Sequence, residues 1–283
     1  MHRPRVAFQG RPGAYSHLAC RAVSPGHEPH PCDDFEDAFD AVERGVAELA
    51  VLPVENSRAG RVAEIHRLLP VRPLHVIGEH YQPVRHQLLG LPGATLEGLR
   101  RVRSHPQALA QCRVYLRERG LTPDAATDTA GAAGEILALG DPSIGAIASA
   151  LAGELHGLLT LDDDVADAPD NTTRFLVMSR DALLPPREGD PVITSCVFRV
   201  RNLPAALYKA LGGFATNGVN LVKLESYQLE GFQWTRFAVD MLGHPDDAPV
   251  ARALEELRYF CEEFRVLGAY RAHPFRGLDA EAG

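Results

Sequence analysis

The sequence predicts two α/β regions, the first with a largely parallel sheet and the second with elements in the order βαββαβ. Before residue 181, short apolar runs alternate with helical patterns, which is typical of strands joined by helices. Pro185-Pro186 and Gly189-Asp190-Pro191 then interrupt regular structure, and the order of elements changes after them. We therefore predict a domain at residues 1–184, a linker at 185–191 and a second domain at 192–283.

In the first region, apolar runs predict strands at residues 6–8, 49–52, 74–77, 102, 144–148 and 175–178. Apolar residues at the i, i+3, i+4, i+7 spacing of one helical face predict a helix that includes Phe35, Ala38, Phe39 and Val42. Residues 108–119 are mostly good helix formers and predict a second helix.

In the second region, we predict strands at residues 192–200, 221–228, 234–241 and 266–270, with helices at 205–216 and 250–263. Asn217-Gly218 ends the first of these helices, because both residues tolerate positive φ. A turn at Glu230-Gly231 is predicted between the two middle strands. This βαββαβ order is ferredoxin-like.

The composition indicates a soluble globular protein of the cytoplasm. Hydrophobic residues make up 45% of the chain and charged residues 23%, which suits a large buried core. The net charge of -8, without a basic run, argues against a nucleic-acid partner. We expect no membrane span or signal peptide, because the apolar runs are too short. The 5 cysteines are scattered without a Cys-x-x-Cys pair, which favours a reducing compartment.

Polar residues follow several predicted strands, in segments 10–16, 55–57 and 104–107 and at Ser149. Open α/β sheets bind ligands at the carboxyl ends of their strands. Each segment also precedes a predicted helix, whose first amides favour a carboxylate or a phosphate. The predicted ligand is therefore a small anion.

The segment Asn171-Thr172-Thr173-Arg174-Phe175 places hydroxyls beside a guanidinium, where a polar loop is predicted to enter an apolar strand. Arg174 can bind a carboxylate with two hydrogen bonds, while a threonine hydroxyl can donate to a departing oxygen. Structural alternatives remain open. Arg174 could form an ion pair, and the polar residues at predicted helix starts could be helix caps.

Nucleotide and metal sites are not predicted. Gly10-Arg11-Pro12-Gly13 lacks the spacing of a dinucleotide fingerprint, and no Gly-Lys-Ser/Thr phosphate loop is present. Residues 27–32 suggest an exposed turn because of their prolines, and residues 162–164 suggest a solvated acidic turn. We expect a reaction that uses neither a cofactor nor a metal.

Several ordered motifs cover nearly the whole chain. Those of the first region are Gly13-Ala14-Tyr15-Ser16-His17, Pro53-Val54-Glu55-Asn56-Ser57 with Gly60, Ser104-His105-Pro106-Gln107-Ala108-Leu109, Asp128-Thr129-Ala130 and Thr173-Arg174-Phe175. Those of the second are Pro204-Ala205-Ala206-Leu207-Tyr208, Gly218-Val219-Asn220-Leu221, Glu225-Ser226 and Leu267-Gly268-Ala269-Tyr270. On these motifs, the sequence resembles the prephenate dehydratases that carry a carboxy-terminal ACT regulatory domain.

This resemblance implies a catalytic domain of two lobes, similar to the periplasmic-binding fold, with a crevice that closes on the substrate. It implies conversion of prephenate to phenylpyruvate, water and carbon dioxide in phenylalanine biosynthesis. Thr173 would assist the loss of hydroxide, and Glu55 would be structural, because a carboxylate repels a dianionic substrate. The substrate-binding residues would be Asn56, Ser57, Ser104, His105, Gln107, Thr129, Arg174 and Phe175, the last by packing against Arg174.

The resemblance also implies that L-phenylalanine binds the second domain as an effector, between the subunits of a homo-oligomer, either a dimer or a tetramer. The effector residues would be Ala206, Leu207, Asn220, Glu225 and Ser226. Three residues depart from the family pattern. Tyr227-Gln228 stands where Arg-Pro is common, and Ala205 stands where glycine is common, so the identity and strength of the effector stay open.

Two other functions remain open. An arogenate dehydratase would differ only in recognising an amino group in place of a keto group. A non-catalytic sensor would use the same crevice to detect a small anion or an amino acid. Thr173 and Arg174, together with the upstream polar segments, favour an enzyme over a sensor.

Overall fold

The computed structural model describes residues 3–228 and 234–278, so the predicted turn at Glu230-Gly231 lies outside the described residues. The chain forms two compact units. The first comprises Met1–Ala63 and Tyr81–Phe175, and the second comprises Glu64–His80 and Leu176–Gly283. Within the described ranges, no helix is both long and apolar enough to cross a bilayer.

One sheet of the predicted catalytic region has the strand order β2-β1-β3-β11-β5, with β4 paired to β3. Strand β1 is parallel to both β2 and β3. The bounds of the strands are β1 (Arg5–Gln9), β2 (Glu28–Cys32), β3 (Leu49–Asn56), β4 (Gly60–Arg61), β5 (His75–Pro83) and β11 (Thr172–Ser179). The helices connecting them are α1 (Tyr15–Val23), α2 (Phe35–Glu43) and α3 (Ala63–Leu68).

A second sheet has the strand order β10-β6-β9-β7-β8. Strand β7 is parallel to β8 and β9, whereas β6 is antiparallel to β9 and β10, so the sheet is mixed rather than largely parallel. Its strands are β6 (Gln87–Gly90), β7 (Arg101–Ser104), β8 (Thr122–Ala125), β9 (Ile144–Ala148) and β10 (Leu159–Asp162). Its helices are α4 (Pro106–Gln111), α5 (Arg113–Glu118), α6 (Thr129–Leu139) and α7 (Ala150–His156).

Two predictions in this region are wrong. Most of segment 27–32 is not a turn but β2, which sits at the edge of its sheet, where the missing amides of Pro29 and Pro31 are tolerated. The helix predicted at 108–119 is broken at Cys112, which separates α4 from α5. Asp167 stabilises the new helix start, since its carboxylate accepts hydrogen bonds from the amide of Val114 at 3.0 and 3.1 Å.

The last sheet has the strand order β13-β14-β12-β15, with each pair of neighbours antiparallel. The chain order is β12 (Val192–Val200), α8 (Ala206–Thr216), β13 (Leu221–Gln228), β14 (Thr235–Leu242), α9 (Ala248–Phe260) and β15 (Cys261–Arg271). The two helices pack Phe214 and Leu257 onto Phe198 and Met241 of the sheet. The second helix ends three residues earlier than predicted, because β15 pairs with β12 from Cys261 onward.

The predicted fold class is confirmed: an α/β region with two sheets that agree with two lobes is followed by a ferredoxin-like βαββαβ sheet. β9, β12 and β13 begin and end at the predicted residues.

Gly268 in β15 lies against the backbone of Val76, where an added Cβ would collide with the Val76 carbonyl oxygen. Nearby, the Arg265 guanidinium donates to the carbonyl oxygens of Leu69 at 3.1 Å and Leu74 at 2.7 Å. Backbone atoms cannot move aside as a flexible side chain can. The close contact therefore requires glycine at this position.

We expect Gly268→Ala to lower the free energy of unfolding of the second unit by about 1–3 kcal/mol, the usual cost of overpacking. Trp234, the only tryptophan, lies in the same unit and reports its unfolding in urea by fluorescence. Gly212→Ala in α8 is the matched control, because a Cβ there meets nothing within 4 Å. It should leave stability unchanged or raise it by about 0.5–1 kcal/mol. Equal stability of Gly268→Ala and the wild type would contradict the contact with Val76.

Candidate active site

A cavity of about 430 Å³ lies in the first unit. Five of the residues predicted from sequence line it, namely Asn56, His105, Gln107, Thr129 and Thr173. They come from both sheets of that region: Asn56 ends β3, Thr173 belongs to β11, and Gln107 lies in α4 next to the second sheet. The cavity thus brings together motifs that are far apart in the sequence.

Asn56 holds the hydroxyl of Thr173. Its Nδ2 donates to Thr173 Oγ1 at 2.9 Å and to Asn171 Oδ1 at 2.7 Å. Its Oδ1 accepts from the backbone amides of Arg58 at 3.0 Å and Ala59 at 2.8 Å, which fixes the orientation of the amide. Because Thr173 Oγ1 already accepts from Asn56, its hydrogen is available to donate to a ligand in the cavity.

Gln111 also lines the cavity, although it was not predicted from the sequence as a site residue. Its Oε1 accepts from Asn171 Nδ2 at 3.1 Å and lies 2.8 Å from His86 Nε2. One signal could have revealed it: Gln111 follows Gln107 by four residues, which places both on one face of a helix.

His86 and Tyr15 form the inner wall of the same cavity. The Tyr15 hydroxyl lies 2.9 Å from His86 Nδ1 and 2.8 Å from the carbonyl oxygen of Arg85. Burial lowers the pKa of His86 below its ordinary value, opposed in part by the hydrogen bond to Gln111. Burial also raises the pKa of Tyr15, so this pair is a neutral imidazole and a neutral phenol at pH 7.

Two features of the cavity suit an anion. Arg61 lines it and brings a positive charge. Thr129 is the first residue of α6, so the amides of that helix start lie at the cavity wall. Asp128 caps this helix by accepting from the Gly131 amide at 2.6 Å, and Arg11 lies 3.4 Å from the Asp128 carboxylate. No group of three or more His, Cys, Asp or Glu side chains in the described chain could hold a metal ion.

Gly13 brings the loop after β1 against the start of α7. The Ser149 hydroxyl, which caps α7, donates to the Gly13 carbonyl oxygen at 2.5 Å. Gly13 has φ +93°, and an added Cβ would meet Ala152 Cα at 2.8 Å. Glycine is therefore required where these two loops meet.

Four predicted substrate residues lie outside the cavity lining. The Ser104 hydroxyl is fully buried and donates to the Ile147 carbonyl oxygen at 2.6 Å. The Ser57 hydroxyl donates to the Asp170 carbonyl oxygen at 3.0 Å. Arg174 is buried with its guanidinium 3.6 Å from the Glu55 carboxylate, and Phe175 is buried in the core. Successive strand residues face opposite sides, which explains why Thr173 and Arg174 diverge.

Two local predictions need correction. Asn56 and Ser57 do not open a helix, because Asn56 ends β3 and pairs with Gly60 of β4 in a hairpin. Thr172 and Thr173 are not in a loop, because β11 begins at Thr172. Here the backbone of Thr172 exchanges hydrogen bonds with Ser57: the Ser57 amide donates to the Thr172 carbonyl oxygen, and the Thr172 amide donates to Ser57 Oγ. This pairing with a distant segment extends the strand beyond the apolar run.

The residues predicted to bind an effector lie in the second unit. Ala206 and Leu207 begin α8, directly after Ala205, which has φ +59° and so occupies a conformation that favours glycine. Glu225 lies 3.5 Å from Lys223 Nζ and 3.8 Å from His66 Nε2, whereas Ser226 is exposed on the opposite side of β13. The Asn220 carbonyl oxygen accepts from the Leu242 amide at 2.9 Å.

Tyr227, one of the departures from the family pattern, is buried beside His66 of α3, with ring centroids 5.7 Å apart. Gln228, which departs at the next position, is exposed at the end of β13. Where the family pattern predicts Arg-Pro, this chain has an aromatic contact between Tyr227 and His66.

The fold and the polar cavity define an α/β enzyme, and residues 6–183 match the family model described as prephenate dehydratase. The chain belongs to the prephenate dehydratase family, whose members are lyases of aromatic amino acid biosynthesis.

Relatives and solved structures cover nearly all of the chain. A bifunctional N-acyl-homoserine lactone acylase/prephenate dehydratase of Komagataeibacter europaeus is 53% identical over 96% of this chain and 97% of its own. Arogenate dehydratase 2 of Petunia hybrida is 41% identical over 95% of this chain and 72% of its own. The structure of prephenate dehydratase from Arthrobacter aurescens with L-Phe is 31% identical, with a TM-score of 0.86 over 95% of this chain and 90% of that one.

Proposed function

We propose that this protein converts prephenate to phenylpyruvate, water and carbon dioxide. The observation that carries the proposal is the Thr173 hydroxyl in the cavity, held as a donor by Asn56 at 2.9 Å. In the reaction, the bond from the ring to its carboxylate breaks and releases carbon dioxide. The electron pair enters the ring, the ring C–O bond breaks, and the departing hydroxide takes up one proton to form water. The aromatic ring that results drives the reaction.

Thr173 is the proposed catalytic residue. A threonine hydroxyl is a very weak acid, so a hydrogen bond that stabilises charge on the departing oxygen is the larger contribution. Because Asn56 holds Oγ1 in place, little reorganisation is needed as charge develops. The proton that completes water formation comes from solvent or from another group in the cavity.

The two carboxylates of prephenate are proposed to bind Arg61 and the start of α6 at Thr129, with Gln107, Gln111 and His105 as further donors at the cavity wall. Arg174 is proposed to add positive charge from behind the cavity, and a direct contact would require it to leave Glu55. Ser57 and Ser104 are proposed to act through the backbone segments they hold, and Phe175 by fixing Arg174.

Turnover of purified protein with prephenate tests the proposal, because phenylpyruvate is detected by its ultraviolet absorbance. Parallel reactions with arogenate decide between the two dehydratases, a choice left open by relatives named for either substrate. We expect faster turnover of prephenate. Binding of prephenate by calorimetry without turnover of either compound would instead support a sensor.

Hydrolysis of N-acyl-homoserine lactones is a second candidate, favoured by the 53% identity to the bifunctional relative. The cysteines offer no ready nucleophile for it, since all 5 are buried. Burial raises the pKa of Cys112 to about 12 and of Cys32 to about 11. Release of fatty acid from an acyl-homoserine lactone, measured with and without prephenate, tests this activity separately.

We propose that L-phenylalanine inhibits the enzyme by binding the domain at residues 192–283, with 185–191 as the linker after the catalytic domain at 1–184. The L-Phe complex of the relative with 31% identity supports the proposal. So does Ala205, because strained backbone is common at ligand-binding loops.

We expect calorimetry to show saturable binding of L-phenylalanine and a rise in the apparent Kd for substrate of about 5–150-fold, a typical coupling of about 1–3 kcal/mol. The effect should be reciprocal, so that bound substrate weakens phenylalanine binding by the same factor. No heat and no inhibition at saturating phenylalanine would remove the regulatory proposal.

We also propose a cytoplasmic homo-oligomer that associates through the second domain. β13 is an edge strand of its sheet, and Leu224 on that strand is 46% exposed, which leaves a surface that a second copy could cover. Sedimentation velocity should show a dimer or tetramer, whereas a monomer at micromolar concentration would contradict this.

A further inference from the structure

We propose that His86 is a positioning residue for the dehydration, which acts by holding the Gln111 side chain so that its NH2 group faces the cavity. The inference rests on the proposed function, because its kinetic effect is expected in the turnover of prephenate. It assigns a role to a residue that lies outside the motifs singled out in the sequence. His86 is only 2% exposed, and both of its ring nitrogens have polar partners.

The side-chain oxygen of Gln111 accepts two hydrogen bonds. Asn171 Nδ2 donates to Gln111 Oε1 at 3.1 Å, so that atom is an acceptor. His86 Nε2 lies 2.8 Å from the same oxygen and must therefore carry a hydrogen. Two donors occupy both lone pairs of Oε1. The NH2 group of Gln111 is consequently the part of the amide left for a ligand in the cavity.

The hydrogen bond to Gln111 also defines the tautomer of His86. Burial keeps the ring neutral by lowering its pKa, so only one ring nitrogen carries a hydrogen. Since Nε2 donates to Gln111, Nδ1 must accept, and its partner at 2.9 Å is the Tyr15 hydroxyl. The Tyr15 hydroxyl also lies 2.8 Å from the Arg85 carbonyl oxygen, so its one hydrogen is shared between two acceptors, and the tautomer is set by Gln111 rather than by Tyr15. The edge-to-face arrangement of the two rings, 5.6 Å between centroids, keeps them in place.

The hydrogen bonds that link His86 to Thr173 position side chains and do not transfer a proton. From Gln111 the hydrogen bonds continue through Asn171 and Asn56 to Thr173 Oγ1. Side-chain amides neither take up nor release protons near neutral pH, so this chain cannot deliver a proton from His86 to the leaving hydroxyl. Its effect is geometric. The backbone amides of Arg58 and Ala59 fix the Asn56 end, and His86 fixes the Gln111 end.

The kinetic test compares two substitutions of His86. His86→Phe keeps a ring of similar size but removes both nitrogens, whereas His86→Gln returns an N–H donor near the position of Nε2. We expect His86→Phe to raise KM for prephenate about tenfold with a smaller change in kcat, because the Gln111 amide would no longer be held as a donor to the bound substrate. His86→Gln should recover most of the loss. His27→Phe is the control, since His27 pairs with Glu48 at 3.4 Å away from the cavity.

A double-mutant cycle distinguishes positioning from a general structural role. In a Gln111→Met background, His86→Phe should have no further effect on KM, because the group it positions is already gone. Losses that add in the double variant would overturn the proposal, as would a His86→Gln enzyme that is no better than His86→Phe.

A measurement on the unmodified protein keeps the proposal testable even if the variants fold poorly. Ring 15N NMR of histidine-labelled protein should show His86 as the neutral Nε2–H tautomer at pH 7, assigned by its loss in His86→Gln or by through-bond correlation. The Nδ1–H tautomer or an imidazolium would overturn the inference. If the wild type turns over neither prephenate nor arogenate, the proposed function fails, while the NMR result still decides the role of His86 in holding Gln111.

Discussion

Replacing Thr173 with alanine is expected to lower kcat for prephenate about 10²–10³-fold, the usual cost of removing one preorganised donor to developing charge. The reason is local: Asn56 donates to Thr173 Oγ1 at 2.9 Å and leaves the threonine hydrogen for the departing oxygen. KM should change less, because this hydrogen bond strengthens as the C–O bond breaks. Steady-state rates of phenylpyruvate formation measure both constants.

Thr173→Ser is the matched control, since it keeps the hydroxyl and removes only a methyl group. It should retain a kcat within about tenfold of the wild type, because the donor to developing charge is still present. An alanine variant that turns over as fast as the serine variant would refute the role of the hydroxyl. Binding of prephenate to Thr173→Ala by calorimetry separates a catalytic loss from a loss of affinity.

Arg276→Met should cause the largest loss of stability, about 3–5 kcal/mol in the free energy of unfolding of the second unit. The Arg276 guanidinium donates to both carboxylate oxygens of Glu79, at 2.6 and 2.9 Å, and to Asp240 Oδ2 at 3.1 Å. These three side chains are at most 10% exposed. Removing the cation would leave two buried carboxylates without the guanidinium that they share.

Urea unfolding monitored by Trp234 fluorescence measures this loss, because Trp234 belongs to the same unit as the triad. Arg187→Met is the control: its ion pair with Asp247 is largely exposed and should contribute less than about 1 kcal/mol. Adding Glu79→Gln to Arg276→Met should restore part of the stability, since it removes one of the two buried negative charges. Equal effects of Arg276→Met and Arg187→Met would contradict the buried triad.

The sequence predicted those parts of the fold that local patterns determine. β9 and β12 have clear apolar runs, and these two strands and β13 were placed to the residue. β2 and β8 carry prolines and little apolar content, and they are strands because a neighbour in the sheet pairs with them. The contacts that stabilise these two strands come from distant segments of the chain, and a local sequence pattern does not reveal them.

The same distinction applies to the candidate site. Asn56 could be placed at the end of a strand from a local signal, whereas Thr129 and Thr173 were assigned through the resemblance of their motifs to the family; all three line the cavity. His86 could not be predicted, since its role depends on hydrogen bonds across 25 and 71 residues of sequence, and Gln111 had only its spacing from Gln107 as a local signal. Ser104 shows the opposite error: it lies at the end of a strand, close to where it was expected, yet its hydroxyl is fully buried and donates to the Ile147 carbonyl oxygen of β9.

A crystal structure of Thr173→Ala with prephenate bound tests the central claim most directly, because the slow variant should retain its substrate. We predict that the ring hydroxyl of prephenate lies beside residue 173 in the cavity, within hydrogen-bonding reach of the position of the missing hydroxyl, about 2.5–3.0 Å. Prephenate bound outside this cavity, or with its ring hydroxyl turned away from residue 173, would contradict the account.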